Sequence, residues 1–290
     1  MAQLLHMAWK GIPGDSGIYH SRAFQDVHGE TVWSPQENVR GVGTSHSPAI
    51  TGFRNEIRMA WKGIEGDSGI YWNSSFQSQQ RVSGVGTTHG PALATQLNQF
   101  ILMAWKGISG DSGLYTSANQ LFSQGWEPQR NVPNVGTSDK PALAFSFPNL
   151  FMAWKGIAGD SGLYTSMSGG DDHWRPQTRV PNVGTSAGPA LAMFNNVLFM
   201  AWKGIEGDSG IYFSSSTDGI SWQPQRNVRG IGTSHSPALA EFNGRLFMAW
   251  KGIPNDLGIY FSFTSNGADW QPQQNVRGVG TSHGPSLVAL

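Results

Sequence analysis

Charged side chains recur at fixed intervals along this chain, in a pattern that suits the binding of a polar ligand. Six copies of the tripeptide Trp-Lys-Gly are each followed by an Asp five residues after the Lys. An ammonium group donates and a carboxylate accepts charge-assisted hydrogen bonds, and together they can hold vicinal hydroxyl groups of a sugar. The two series are Lys10, Lys62, Lys106, Lys155, Lys203 and Lys251, and Asp15, Asp67, Asp111, Asp160, Asp208 and Asp256.

A structural role explains the same spacing equally well. Equal numbers of Lys and Asp at a constant separation predict an ion pair across the turn between them. An exposed pair of this kind contributes only about 0–1 kcal/mol to stability. Both interpretations remain open from the sequence.

Aromatic side chains also recur once or twice in each copy. The Trp of the tripeptide can stack on the apolar C–H patch of a sugar and donate its indole N–H, while packing between neighbouring repeats is the alternative. A second Trp series is predicted to pack in the core, with Trp72 as a partial substitute in repeat two. The first series is Trp9, Trp61, Trp105, Trp154, Trp202 and Trp250, and the second is Trp33, Trp126, Trp174, Trp222 and Trp270.

A Gly-Thr-Ser or Gly-Thr-Thr segment in each repeat adds hydroxyl groups and, in four repeats, an imidazole. These groups can exchange hydrogen bonds with sugar hydroxyls, or they can be solvated turn residues. Because there is one His per repeat, we expect the imidazoles to be far apart and to form no metal cluster. The hydroxyl series is Ser45, Thr88, Ser138, Ser186, Ser234 and Ser282, and the residues that follow are His46, His89, Asp139, Ala187, His235 and His283.

The period of these motifs predicts the architecture that positions them. Successive Trp-Lys-Gly motifs are 52, 44, 49, 48 and 48 residues apart. Each repeat contains four short runs rich in aromatic and β-branched residues, separated by Gly-, Asn-, Asp- and Ser-rich turns. Such repeats are typical of β-propeller blades. We predict one all-β domain over residues 1–290, a six-bladed β-propeller with about 24 antiparallel strands; two β-trefoils of three repeats each are the alternative.

The ends of the chain fall in the middle of a repeat. The segment 3–9 reads as a second strand and the segment 285–290 as a first strand. We expect them to pair and close the ring, which removes two exposed edges. Because antiparallel strands alternate in direction, the Lys-to-Asp turns and the Gly-Thr-Ser segments are expected on one face. That face is nearly constant between repeats and is the predicted binding face.

Composition excludes several functional classes. Lys plus Arg and Asp plus Glu both number 19, so the basic surplus of a nucleic-acid-binding protein is missing. No apolar run approaches the ~20 residues of a membrane span. The absence of Cys excludes disulfides, a thiol nucleophile and a zinc–thiolate site. The N-terminus lacks signal-peptide features, so we expect a cytoplasmic protein, or one released without a standard signal, and we expect no cofactor.

The repeat resembles that of the β-propeller lectins. The pattern L-F-M-A-W-K-G, G-D-S-G-I-Y-F-S, W-x-P-Q and G-T-S-x-x-P-A-L-A covers the whole chain. It is similar to repeat lectins of fungi and bacteria in the tectonin-like, tachylectin-like and fucose-binding group. The resemblance implies one sugar site per blade or blade junction. The segment 216–222, S-T-D-G-I-S-W, also resembles the structural Asp-box turn of sialidase-like propellers, although it lacks one residue between Asp and Gly.

Two other functions are open to the same fold. A sialidase-like glycoside hydrolase needs one asymmetric pair of carboxylates or a Tyr nucleophile. Here every Tyr belongs to the repeat, and Glu30, Asp171, Asp172 and Glu241 are scattered acids. The Gly-His, Trp-Asp and kelch signatures of protein-interaction propellers are missing. We therefore predict a multivalent lectin that binds glycans, without enzymatic activity.

Overall fold

The computed structural model is an all-β protein. The residues that it describes are 3–27, 29–96, 99–121, 123, 125–169 and 173–290. Of the scattered acids, Asp171 and Asp172 lie outside the described residues. A helix long and apolar enough to cross a membrane does not occur in the described ranges.

Twenty-five strands in six antiparallel sheets account for the regular structure of the described residues. Blade 1 contains β1 (Leu5–Lys10), β2 (Gly17–Gln25), β3 (Thr31–Trp33), β4 (Glu37–Gly43) and β25 (Ser286–Ala289). Blade 2 contains β5 (Ala49–Phe53), β6 (Glu56–Lys62), β7 (Gly69–Ser74) and β8 (Gln80–Gly86). Blade 3 contains β9 (Ala92–Gln96), β10 (Phe100–Lys106), β11 (Gly113–Gln120) and β12 (Arg130–Gly136).

The remaining three blades follow the same order along the chain. Blade 4 contains β13 (Ala142–Ser146), β14 (Asn149–Lys155), β15 (Leu163–Ser168) and β16 (Thr178–Arg179). Blade 5 contains β17 (Ala190–Phe194), β18 (Val197–Lys203), β19 (Gly210–Ser216) and β20 (Arg226–Gly232). Blade 6 contains β21 (Ala238–Phe242), β22 (Arg245–Lys251), β23 (Gly258–Thr264) and β24 (Gln274–Gly280).

The six-bladed propeller with four antiparallel strands per blade is therefore confirmed, and the arrangement as two β-trefoils is wrong. The predicted number of about 24 strands falls short by one. The additional strand is β3, which pairs with β2 beside the main outer strand β4. Repeat one is longer than the others at this point, and the extra residues have room to form this short strand.

The burial of each strand follows from its place in the blade. In blade 5, β18 buries six of its seven residues because neighbouring blades cover both of its faces. At the outer edge of the same blade, β20 buries only Val228. The first strands of neighbouring blades contact each other in a closed ring around the axis. A central channel lies inside this ring.

The two chain ends pair as predicted. Leu5 stands opposite Ala289 and Ala8 opposite Ser286 in the antiparallel pair of β1 and β25. Beyond the strands, the Leu4 N–H donates to the Leu290 carbonyl at 2.7 Å. Blade 1 is thus assembled from both ends of the chain.

The expected common face is also present. The Ser45 N–H donates to the Gly63 carbonyl at 3.0 Å, and the Thr44 N–H donates to the Ser16 carbonyl at 2.8 Å. Each Gly-Thr-Ser segment therefore bridges the turns of two adjacent blades. We call the surface formed by these six links and the six turns between second and third strands the repeat face.

Candidate functional site

The Lys of each Trp-Lys-Gly motif lies beneath the repeat face. Lys62 Nζ donates to Ser45 Oγ at 2.8 Å and to the backbone carbonyl of Asp67 at 2.9 Å. Burial lowers the pKa of Lys62, with Glu65 and Asp67 acting in the opposite direction. Equivalent pairs of bonds fix Lys10, Lys106, Lys155, Lys203 and Lys251.

The predicted ion pair between Lys and Asp is wrong, because the ammonium reaches the Asp carbonyl oxygen and not its carboxylate. In the ion pairs among the described residues, the basic partner is Arg or His and the acidic partner is Glu. The carboxylate instead organises its own turn. Asp208 accepts from the Gly210 N–H at 2.8 Å and from the Tyr212 hydroxyl at 2.9 Å. The same Tyr bond occurs at Asp15, Asp67, Asp111, Asp160 and Asp256.

The six Trp residues of the motif do not form an exposed stacking platform. Trp9, Trp61, Trp105, Trp154, Trp202 and Trp250 each have 0% of their surface exposed. Each indole stacks inside the protein on the Tyr ten residues later, with ring centroids 6.2–6.4 Å apart. Trp250, for example, packs with Ile211 and Phe213 of the preceding blade. The alternative prediction, packing between blades, is therefore the correct one for this series.

The second Trp series packs as predicted. Trp270 lies 5.8 Å from Phe213 in an edge-to-face arrangement, and Trp33 makes the same contact with Phe261. Both pairs join neighbouring blades. The first Trp series therefore packs adjacent sheets together at the Trp-Lys-Gly strands, and the second series does so beside the outer strands.

The hydroxyl groups of the links are used within the protein. Ser234 Oγ accepts from Lys251 Nζ at 2.9 Å and donates to the Gly252 carbonyl at 2.9 Å. The same oxygen lies 3.0 Å from His235 Nδ1. The equivalent hydroxyls are those of Ser45, Thr88, Ser138, Ser186 and Ser282. Each therefore fastens a link to the turn of the next blade.

The four imidazoles are close together, and the expectation that they are far apart is wrong. The ring of His46 lies 5.3 Å from those of His89 and His283, and the ring of His235 lies 5.1 Å from that of His283. Residues far apart in sequence meet here because all six links converge on the axis. In the described part of the chain, no group of three or more His, Asp or Glu has the arrangement to hold a metal ion.

The surroundings keep the imidazoles neutral. Burial, followed by the charges of neighbouring groups, lowers the pKa of His46 and His235 to about 4 and that of His283 to about 3. Burial also lowers the pKa of His89, although Asp139 opposes this shift. Near neutral pH these side chains present an uncharged arc at the mouth of the central channel.

A groove that the sequence analysis did not identify lies on the repeat face between adjacent blades. Between blades 4 and 5 it has a volume of about 550 Å³, and its lining includes Ser161, Arg179 and Gly184 from blade 4 and Ile205 from blade 5. A Cβ on Gly184 would lie 2.8 Å from Ile205 Cγ2, so the Gly lets the Ile pack closely against the link. We call this groove, together with the corresponding positions between the other blades, the inter-blade grooves.

The apolar side of the groove recurs in every blade. The Ile that follows Trp-Lys-Gly is 46–51% exposed in all six copies, and each contacts the Gly of the preceding link. An apolar side chain at an exposed turn in all six repeats was the available sequence signal. These residues are Ile12, Ile64, Ile108, Ile157, Ile205 and Ile253.

Polar groups stand beside this apolar wall. Arg179 Nε and Asp160 Oδ1 both lie close to Gly162, where an added Cβ would be 3.0 Å from each, and Tyr164 is the third neighbour. The bond from the Gly162 N–H is the main cause that lowers the pKa of Asp160, and Arg179 adds to it. The exposed residue at the position of Arg179 is Asn38, Arg81, Asn131, Asn227 or Asn275 in the other repeats.

In five of the six blades, a bulge shifts the register between the outer strand and the strand that it pairs with. In blade 5 the register of β19 and β20 shifts between Gly210 and Tyr212. The bulged residue Gly230 has a φ of 75°, and Asn182 takes its place in blade 4 with a φ of 57°. Gly and Asn are the residues that most readily adopt this left-handed conformation. The alternation of Gly and Asn here was a sequence signal for the bulge.

Comparison with solved structures identifies the same fold in lectins and in an enzyme. Aleuria aurantia lectin bound to α-methyl-L-fucoside has a TM-score of 0.62 at 11% identity, over 97% of each chain. AofleA of Arthrobotrys oligospora has a TM-score of 0.64 at 12% identity, over 100% of this chain and 93% of the other. An α-L-arabinofuranosidase of Clostridium thermocellum has a TM-score of 0.54 at 11% identity, over 81% of this chain and 95% of the other. No protein-family model matches the chain, and no curated protein sequence matches it.

Proposed function

We propose that this protein is a multivalent lectin that binds glycans in the six inter-blade grooves of the repeat face. The observation that carries the proposal is the sixfold presence of an exposed Ile beside an Asp, a Tyr and an Asn or Arg. An apolar wall accommodates the C–H face of a sugar, and fixed polar groups orient its hydroxyls. The similarity in fold to the fucose-specific lectin of Aleuria aurantia supports the choice of ligand class.

The predicted site residues have different roles in this proposal. The Asp carboxylate, although it accepts bonds from Gly and Tyr, remains a candidate for direct contact because it is half-buried and, in blade 4, lies close to Gly162 together with the groove residue Arg179. The Lys, Trp and link hydroxyls act as positioning residues, since each is buried or bound within the protein. The four His lie at the central channel and belong to no groove.

Binding through several sites at once compensates for the weak affinity of each single site. A monosaccharide bound at about 1 mM supplies only about 4 kcal/mol. Several such sites engaging one glycan-coated surface raise avidity by roughly 10²–10⁴ without additional contacts. A sixfold repeated site suits this use better than catalysis, which is normally assembled from one unequal pair of carboxylates.

A glycan array tests the function. The wild-type protein should bind a restricted set of glycans, with α-methyl-L-fucoside and Fucα1-6GlcNAc as the first soluble competitors. A variant with all six groove Ile changed to Ser should fold, because the positions are exposed, and should lose binding. Equal array signals from the two proteins would contradict the groove proposal, and an array without any signal would contradict lectin function.

The enzymatic alternative has its own test. The arabinofuranosidase fold match makes chromogenic arabinofuranosides the first substrates to try, followed by a broad set of other glycosides. We expect no release of sugar above a heat-inactivated control. Turnover that survives purification to homogeneity would assign a hydrolase instead.

A further inference from the structure

The mouth of the central channel forms a second polar cavity, separate from the inter-blade grooves. It has a volume of about 290 Å³ and is bordered by the four imidazoles, Asp139 and Lys140. A narrower cavity of about 100 Å³ follows along the axis and is ringed by the six link prolines. Lys140 borders both cavities, so its side chain lies at their junction.

Lys140 is the one Lys outside the Trp-Lys-Gly series, and it interrupts the sixfold pattern. The equivalent residue is Ser or Gly in every other repeat: Ser47, Gly90, Gly188, Ser236 and Gly284. Among the described residues, the hydrogen bond that it donates comes from its backbone N–H and goes to Asp139 Oδ1 at 2.6 Å. Its ammonium has no hydrogen-bond acceptor and no ion-pair partner among the described residues.

Two further donors border the same cavity. Ser47 and Ser236 are only 7% and 5% exposed, and their hydroxyls make no hydrogen bond within the described ranges. The six links follow one another around the axis in chain order. The link with Lys140 is therefore opposite the link with Gly284, and the links with Ser47 and Ser236 lie on either side of Gly284. The side chains of Lys140, Ser47 and Ser236 therefore border one small space, and none of the three is hydrogen-bonded to an acceptor among the described residues.

The imidazoles add an adjustable charge. Because Ser234 Oγ donates its proton to the Gly252 carbonyl, His235 Nδ1 must donate to that oxygen, and Nε2 remains free to gain a proton. The groups that act on the four imidazoles are Asp139, Lys140, Lys10, Lys62, Lys106, Lys203, Lys251 and the other imidazoles. All but Asp139 disfavour protonation.

We propose that the mouth of the central channel binds a compact oxyanion, held by the Lys140 ammonium and by the hydroxyls of Ser47 and Ser236. The chemistry is that of sulfate, phosphate or a carboxylate group, all of which accept short charge-assisted bonds from an ammonium. The bound anion makes protonation of the neighbouring imidazoles more favourable. In the acidic range, where the pH approaches the pKa of these imidazoles, binding is therefore accompanied by proton uptake. The site is independent of sugar binding in the grooves.

The direct test is calorimetric titration with sulfate, whose charge is constant between about pH 5 and 8, against chloride at equal ionic strength. Affinity should rise as the pH falls, because the anion raises the pKa of the imidazoles. Lys140→Ser should weaken sulfate binding by about tenfold or more, since a charged donor is lost. Asp139→Asn should strengthen it, because a nearby negative charge is removed. Titrations with phosphate and acetate distinguish tetrahedral anions from carboxylates.

The other repeats have Ser or Gly at the position equivalent to Lys140, so Lys140→Ser and Lys140→Gly should fold. Both variants should also keep the glycan binding of the wild type, which separates this proposal from the groove proposal. Sulfate affinity equal to that of the wild type in both variants would overturn the assignment. So would the absence of any difference between sulfate and chloride.

Discussion

Lys62 Nζ lies 2.8 Å from Ser45 Oγ, although the Lys belongs to blade 2 and the Ser to the link that leaves blade 1. The same contact joins every blade to the preceding link, including Lys10 and Ser282 at 2.9 Å across the two ends of the chain. The most regular polar residues of the repeat thus fasten blades to each other. Their regularity reflects the geometry of the ring.

Loss of one such contact should destabilise the ring. Lys203→Met removes the donor to Ser186 Oγ and to the Asp208 carbonyl. We expect a decrease of about 1–3 kcal/mol in the free energy of unfolding, measured by urea denaturation, because buried acceptors lose their partner. Lys140→Ser serves as the control, since that ammonium has no described acceptor. Equal denaturation midpoints for both variants and the wild type would contradict this role.

The closing strand should stabilise all blades together. Deletion of residues 286–290 removes β25 and leaves β1 as an open edge. We expect the whole protein to unfold at a lower temperature in a single transition. A synthetic peptide with the sequence SLVAL, added in excess, should restore part of the loss. An unchanged melting temperature would show that closure does not contribute to stability.

The Asp-box-like turn predicts a defined pH dependence. Asp218 Oδ1 accepts from the backbone N–H groups of Ile220 and Ser221 at 2.8 and 2.7 Å, which lowers the pKa of Asp218 to about 2. The carboxylate therefore stabilises the fold above about pH 4, and this contribution disappears as the pH falls through 2.

Comparison with Asp218→Asn isolates this contribution, because Asn266 makes the equivalent bonds in blade 6. The melting temperatures of the two proteins should differ at pH 6 and should converge near pH 2. A difference that is independent of pH would mean that the charge of Asp218 has no part in it.

Each groove should bind one ligand molecule. Ile205→Glu places a charge against the apolar wall of the groove between blades 4 and 5. Titration with a monovalent glycan ligand should show one site fewer, with unchanged affinity at the others. Ile220→Glu is the matched control, because Ile220 is 42% exposed in a turn between a third and a fourth strand, away from the repeat face. Loss of a site in the control, or none in Ile205→Glu, would contradict the groove assignment.

The fold was predictable because its signals are local and repeated. Turn residues at a constant period set the number of blades, and the split repeat indicated how the ring closes. The roles of Trp202 and Lys203 were not predictable in the same way. A residue at the end of a strand can face solvent or a neighbouring blade, and the repeat pattern is identical in both cases. The burial of Trp202 depends on the neighbouring blade that packs against it, and Lys203 bonds to the Asp208 carbonyl within its own turn.

The proximity of the imidazoles was also hidden from sequence reasoning. His46 and His89 are separated by a whole repeat, yet their rings lie 5.3 Å apart. Separation along the chain measures distance around the circumference, whereas the links all approach the axis. Any residue at this position is therefore close to its counterparts in adjacent repeats. The same convergence brings Lys140 close enough to lower the pKa of His235 and His283, which belong to other links.

The hydrogen-bonded backbone pair Leu4–Leu290 makes this ring suitable for circular permutation. Since the two ends of the chain meet inside one sheet, a short linker can join them, and new ends can be opened in any exposed turn between first and second strands. The turn at Asn243 and Gly244 already adopts positive φ angles of 49° and 69° and packs little of its surface. Circular permutants opened there should keep all six blades, because no blade depends on its position in the order of synthesis.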